Sequence, residues 1–241
     1  MTSFKRVFFT VMTGLLLLPA ARAEQPAFLS GEKIYYSVKQ LGIKAGDAVL
    51  EFRGDDYIDG QKYTLVIFTA KGFNFYDEER IYLDPVSLTP VKVLRDLNIF
   101  GNKENIMEEY ATANGAVRVT KTAAGKTTVA DIMPPVYAAK ASPGRQVDNI
   151  YGFLYRARLG QQIRVGSAFD LHLPTLDLTL SGLKRVDFNA AGKQYKAVMV
   201  QSVPAKYTIW FDEGPKKLPL RIAGALGMAN TVMVMTGYED K

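Results

Sequence analysis

The stretch Lys206–Ile222, K-Y-T-I-W-F-D-E-G-P-K-K-L-P-L-R-I, decides the fold. Tyr207, Ile209 and Phe211 alternate with Thr208, Trp210 and Asp212, the period of two expected of a strand with one buried face. Gly214-Pro215 then punctuates the backbone. On the return, Leu218, Leu220 and Ile222 form an apolar face, with Pro219 and Arg221 pointing oppositely. The stretch therefore predicts a β-hairpin whose core residues include Ile209, Phe211, Leu218 and Leu220. Trp210, the single tryptophan, is expected to stack near Arg221 on the less apolar face. Pro219 has no N–H to give to a ladder, so its strand is expected at an edge or a bulge.

The same alternation recurs along the chain. Ile34, Tyr36 and Val38 mark a first strand, and Ala48, Leu50 and Phe52 a second, joined by the connector Leu41–Gly46. Asp55-Asp56 and Asp59-Gly60 carry turn chemistry before a third strand, Lys62 to Ala70. Lys71–Tyr76 interrupts the pattern with three aromatics, read as an aromatic edge of the core or an irregular lid. Further strands are expected at Glu79–Leu83, Val91–Leu97, Glu104–Thr112, Ala116–Thr122 and Thr127–Asp131, with hairpin turns at Asn114-Gly115 and Ala124-Gly125. Past Pro134-Pro135 lies one helix. Asp148 is its expected cap, and Ile150, Phe153, Leu154 and Ala157 share a face at i, i+3, i+4, i+7. Strands then resume at Ile163–Val165, Ala168–Leu173, Leu176–Val186, Gln194–Val203 and finally Leu226–Tyr238. The fold class is all-β: a curved antiparallel sheet, as a half-barrel or barrel-like sandwich, with one short packed helix near residues 148–158.

The first 23 of the 241 residues read as a secretory signal. Lys5 and Arg6 precede an apolar run from Val7 to Leu18, and Ala21-Arg22-Ala23 offers a cleavage site before Glu24. No later run reaches the roughly 20 apolar residues of a spanning helix. Residues 24–241 are expected to form one mainly-β domain in the periplasm or outside the cell. The chain has no cysteine, which excludes disulfides, thiolate metal sites and a lipidated cysteine at the cleavage point. Charge is uneven: Glu24–Thr120 is net −4 and Lys121–Lys241 is net +7. That basic half is open to anionic partners such as lipid head groups, or is an ordinary solvated surface. No nucleic-acid-binding motif is present.

Catalytic constellations are scarce. The single histidine, His172, lies two residues from Asp170 on the same face of a strand, an arrangement that could orient an imidazole as a base. No G-x-S-x-G elbow supplies a nucleophile, and one histidine without cysteine excludes a multi-histidine metal site. Asp77-Glu78-Glu79 and Glu108-Glu109 read as solvated surface, since neighbours on a strand face opposite ways. Asp55, Asp56 and Asp59 lack the spacing of an EF-hand. No cofactor is expected. The remaining candidate is a hydrophobic groove lined by Phe73, Phe75, Tyr76, Tyr151, Phe153, Tyr155 and Trp210, suited to a lipid or another apolar ligand. Because a core of this size needs such aromatics anyway, a structural or assembly factor docking on another envelope protein is the alternative. A hydrolase using Asp170 and His172 is the third.

Three blocks occur in order: G-E-K-I-Y-Y-S-V (31–38) with L-G-I-K-A-G-D-A-V-L-E (41–51), D-N-I-Y-G-F-L-Y-R-A-R (148–158) before G-Q-Q-I-R-V-G (160–166), and I-W-F-D (209–212) before L-P-L-R-I (218–222). In these the chain resembles domain-of-unknown-function family 3108, a set of exported bacterial proteins. The resemblance implies an envelope location and a mainly β fold, and carries over no activity and no catalytic residues.

Overall fold

The computed structural model describes residues 28–110, 116–133, 146–160, 163–224, 226 and 230–240. The signal segment, the Asn114-Gly115 turn and Pro134-Pro135 lie outside them. The described residues form fourteen strands and one helix. An opening meander runs through β1 (Glu32–Gln40), β2 (Ile43–Ile58), β3 (Gln61–Gly72), β4 (Phe75–Leu83), β5 (Pro90–Ile99), β6 (Asn102–Glu109), β7 (Val117–Ala123) and β8 (Lys126–Ile132). The helix α1 (Ile150–Leu159) follows. A second meander then runs through β9 (Ala168–Leu173), β10 (Leu176–Ala190), β11 (Lys193–Val203), β12 (Thr208–Asp212), β13 (Pro219–Ala223) and β14 (Thr231–Glu239).

All strands belong to one antiparallel sheet ordered β8-β7-β6-β5-β4-β3-β2-β1-β14-β13-β12-β11-β10-β9. The chain starts at the middle, walks out to one edge, reappears at the other edge and walks back, so its first and last strands pair at the centre. A sheet this wide curls, because strand twist accumulates and open sheets rarely exceed about ten strands flat. β8 and β9 stay unpaired with one another, so it does not close into a barrel.

One face of the curve is apolar and buried: Ile34, Tyr36 and Val38 on β1, Val66 and Phe68 on β3, Ile81 and Leu83 on β4, Val198 and Val200 on β11, Met233 and Met235 on β14. The opening hairpin matches its reading. Tyr207, Ile209, Phe211, Leu218, Leu220 and Ile222 are buried, and Trp210 stands opposite Arg221, whose guanidinium lies 4.3 Å from the indole centroid. Pro219 sits at a bulge, where the register shifts between Trp210 and Phe211. It is not at an edge, since β13 lies between β12 and β14; Pro219 instead begins its strand, and its carbonyl accepts the buried Tyr36 hydroxyl at 2.9 Å.

Other expectations are corrected. Leu41–Gly46 is no long connector: β2 starts at Ile43, and Leu41-Gly42 alone makes the turn, both with positive φ. Asp55 and Asp56 lie inside β2, and the chain turns at Asp59-Gly60. Lys71–Tyr76 is no lid but a tight turn, Phe73-Asn74, between β3 and β4; of its aromatics Phe75 packs at the edge of the core and Phe73 does not. Residues 163–165 form no strand; Gly166 donates to the Gly182 carbonyl and Ser167 to that of Arg164, making a turn before β9.

Candidate functional site

The helix organises the concave face. Its cap is Asn149, one residue after the expected Asp148; the Asn149 Oδ1 accepts from the Tyr151 and Gly152 amides at 2.9 and 3.4 Å. Asp148 does other work. Its amide donates to the His172 carbonyl, its Oδ2 accepts from the His172 amide, and its Oδ1 lies 2.6 Å from Arg156 Nη1, tying the helix start to the edge strand β9. Gly152 lets the helix approach the sheet, since a Cβ there would stand 2.9 Å from Leu83 Cδ2.

The helix is buried on more than its apolar face. Tyr151 stacks on Phe68 at 3.9 Å, and Tyr155 packs against Phe28 and Phe52 at 5.0 and 5.1 Å. Burial holds both tyrosine hydroxyls well above their ordinary pKa. At the helix C-terminus Arg158 is 1% exposed and forks onto Glu32 of β1, Nη1 to Oε1 at 2.6 Å and Nη2 to Oε2 at 2.8 Å. Its Nε donates to the Lys216 carbonyl at 2.9 Å, and Tyr238 of β14 donates to Glu32 at 3.0 Å. Near the helix N-terminus a second polar group is enclosed. Arg95 forks onto Asp77 at 2.8 and 2.6 Å and reaches Glu79 at 3.5 Å, while Asn149 Nδ2 donates to Glu79 Oε2 at 3.2 Å. The expectation of a solvated Asp77–Glu79 surface is thus overturned: alternation turns both carboxylates to the concave face, where they are buried. Burial pushes the Glu79 carboxyl up to about 7 against the opposing pull of Arg95.

Between α1 and β9 a cleft of about 320 Å³ remains, lined by Phe153, Arg156, Ala157, Gly160, Ile163, Phe169 and Asp170. Phe153 and Phe169 stack at 5.6 Å, and the Arg156 guanidinium lies 5.7 Å from the Phe153 ring. An apolar space with one guanidinium and one carboxylate in its lining can take an acyl chain or aromatic ring and orient a polar head.

The seven aromatics read as a groove are distributed differently. Phe153 lines the cleft, whereas Tyr151 and Tyr155 fill the space between helix and sheet. Phe75 is half-buried against the core, and Tyr76 donates to Glu78 at 2.7 Å beneath Lys71. Trp210 pairs with Arg221, and Phe73 points into solvent at a hairpin tip. Asp170 and His172 are not partnered: Asp170 accepts from Thr179, and the His172 ring faces Asp177 across the β9–β10 ladder at 3.2 Å. Arg156, Ala157, Gly160 and Phe169 were missed, although Phe153, Ala157 and Gly160 recur at the i, i+4, i+7 spacing of one helix face.

Among the described residues, no group of three or more His, Asp or Glu side chains could hold a metal ion, and no helix is long and apolar enough to cross a membrane. No protein-family model and no curated protein matches the chain. A crystal structure described as "a putative lipoprotein" from Parabacteroides distasonis ATCC 8503 aligns over 88% of this chain and 98% of that one, at 9% identity and a TM-score of 0.29. That likeness is too loose to carry a function to this chain.

Proposed function

We propose that the chain is a non-catalytic envelope protein that holds the apolar part of an anionic amphiphile, such as a fatty-acyl lipid, in the cleft between α1 and β9. The observation that carries this reading is the stacked Phe153–Phe169 pair inside a cleft that also presents Arg156. Its volume stands at the low end of the roughly 300–1,000 Å³ of small-molecule sites, enough for part of a chain rather than a whole lipid. The signal-like first 23 residues and the resemblance to exported family 3108 proteins support the location. Native mass spectrometry and lipid extraction of the chain purified from a periplasm test the reading, together with displacement of a fluorescent fatty acid. Saturable binding that is lost in Ala157→Trp, which fills the cleft, is expected. Arg156→Gln should weaken a fatty acid more than the corresponding alcohol. A wild-type chain that binds no fatty acid, or an Ala157→Trp variant that binds unchanged, would overturn it.

The second reading is docking on another envelope protein. It is favoured by β8, the terminal strand of the sheet order, whose residues from Lys126 to Asp131 are exposed on both faces. Crosslinking followed by pull-down should return a reproducible partner that a proline at Thr128 abolishes.

A further inference from the structure

The sheet has two rims, and they differ. On one, the registers Gly46↔Gly72, Phe75↔Ile99 and Glu104↔Ala123 bring the turns Leu41-Gly42, Phe73-Asn74, Phe100-Gly101 and Ala124-Gly125 side by side. Successive tips stand two strands apart, roughly 10 Å. Leu41, Ile43, Phe73 and Phe100 are 75%, 75%, 89% and 74% exposed, which places the large apolar side chains at and beside these turns in solvent. Within two residues of these four turns lie Lys39, Lys44, Lys71, Lys103 and Lys126, and no carboxylate. Val203, also exposed, extends the same rim on the second meander beside Lys206.

The local backbone makes this composition harder to explain as ordinary turn sequence. Leu41 and Phe100 both have φ of 51°, a left-handed conformation that bulky side chains seldom adopt and that hairpin turns normally assign to Asn, Asp or Gly. On the opposite rim Leu88, Ala191 and Lys217 are left-handed too, but there the bulky apolar one, Leu88, is buried rather than exposed. Asp59-Gly60 turns there, and its exposed Tyr57 and Val86 are accompanied by Asp55, Asp56, Asp59 and Asp84. One rim thus combines exposed apolar tips, two of them in left-handed turn positions, with a local excess of lysine.

We propose that this rim docks on an anionic lipid bilayer, with Leu41, Ile43, Phe73 and Phe100 inserted shallowly at the interface. Lys39, Lys44, Lys71, Lys103 and Lys126 lay their methylenes along the inserted groups and their ammonium heads against lipid phosphates. An apolar cluster ringed mainly by lysine, of which Lys44 alone pairs with a neighbouring carboxylate, Asp47 at 2.7 Å, fits such a surface better than a protein face, which would supply carboxylates and pockets. The site is separate from the cleft, so either proposal can fail alone.

Flotation with vesicles tests it. The purified chain should float with vesicles of phosphatidylcholine mixed with phosphatidylglycerol and much less with phosphatidylcholine alone, and salt should weaken the association. Phe73→Ser with Phe100→Ser should lower partitioning by at least about tenfold, since each phenyl ring withdrawn from an apolar phase is worth on the order of tenfold when fully buried. Lys71→Glu with Lys103→Glu should abolish the preference for anionic vesicles. Leu41→Asn with Phe100→Asn should weaken flotation while raising the thermal unfolding midpoint, an opposition that a purely structural role would not produce. Each variant keeps the rest of the chain, so the comparison isolates the rim. A wild-type chain that ignores anionic vesicles, or serine and glutamate variants that float unchanged, would overturn the proposal. Variants that alter only the sedimentation of the free protein would also overturn it, marking the rim as a contact between copies.

Discussion

Glu79 is a carboxylate enclosed where the helix begins, with Asp77 and Arg95 on the sheet and Asn149 above it. Glu108 and the buried Tyr110, Tyr151 and Tyr207 stand around the same point. Its proton is held more tightly folded than unfolded, because burial raises its pKa from 4.5 to about 7. Below the unfolded value both states are protonated and the stabilisation is complete; it is lost as pH rises through the folded value. Across that window the group should remove up to about 3 kcal/mol of stability. Glu79→Gln should abolish this part of the pH dependence, leaving the variant more stable than wild type at neutral pH and above. Urea unfolding midpoints near pH 5 and near pH 8 check the sign. Nothing local in Asp77-Glu78-Glu79 announces the burial. Alternation says only that Asp77 and Glu79 share a face; that the face looks inward depends on Arg95 arriving eighteen residues later to pair with it.

At the scale of elements, the helix is fixed to the sheet at both ends, by Asn149 to Glu79 and by Arg158 to Glu32. Arg158→Met should cost about 3–5 kcal/mol, since it leaves the Glu32 charge buried without its partner. Combining it with Glu32→Gln should recover much of the loss. Guanidinium titration of the two variants measures the difference. The helix itself was legible in its spacing and its end at Gly160, and most strands in their alternation. Its enclosure was not. A helix lying on a flat sheet buries one stripe, whereas a curved sheet buries its flanks too, so Tyr151, Tyr155 and Arg158 read as a mixed face. The turns failed for a related reason. Ala124-Gly125 was recognisable, but Leu41-Gly42 and Phe100-Gly101 place bulky residues where turn chemistry expects small or polar ones. The cleft was half legible, because Phe153 was visible and its partner Phe169 belongs to a strand that only the topology brings alongside.

Over the whole molecule, the sheet order follows from two meanders folding toward one seam, β1 against β14. Within each meander every strand pairs with its neighbour in sequence, which makes most ladder contacts local; the seam joins residues about two hundred positions apart, as in Lys33↔Glu239. Removing residues 231–240 should therefore do more than shorten an edge. It would expose β1 and β13 in the middle of the sheet, and the truncated chain is expected to be insoluble or protease-sensitive, as limited proteolysis would show. Refolding of the full chain should include a slow phase, roughly milliseconds to seconds or longer, for closing the seam. Stopped-flow fluorescence of Trp210 would register it. The seam also has a consequence for birth order. A chain made from its N-terminus offers β1 before β14, so the earlier strand waits with one open flank until thirteen further strands have been made. During that interval the molecule is two half-sheets in search of a centre, and whatever escorts the nascent chain must shield β1 for the longest time.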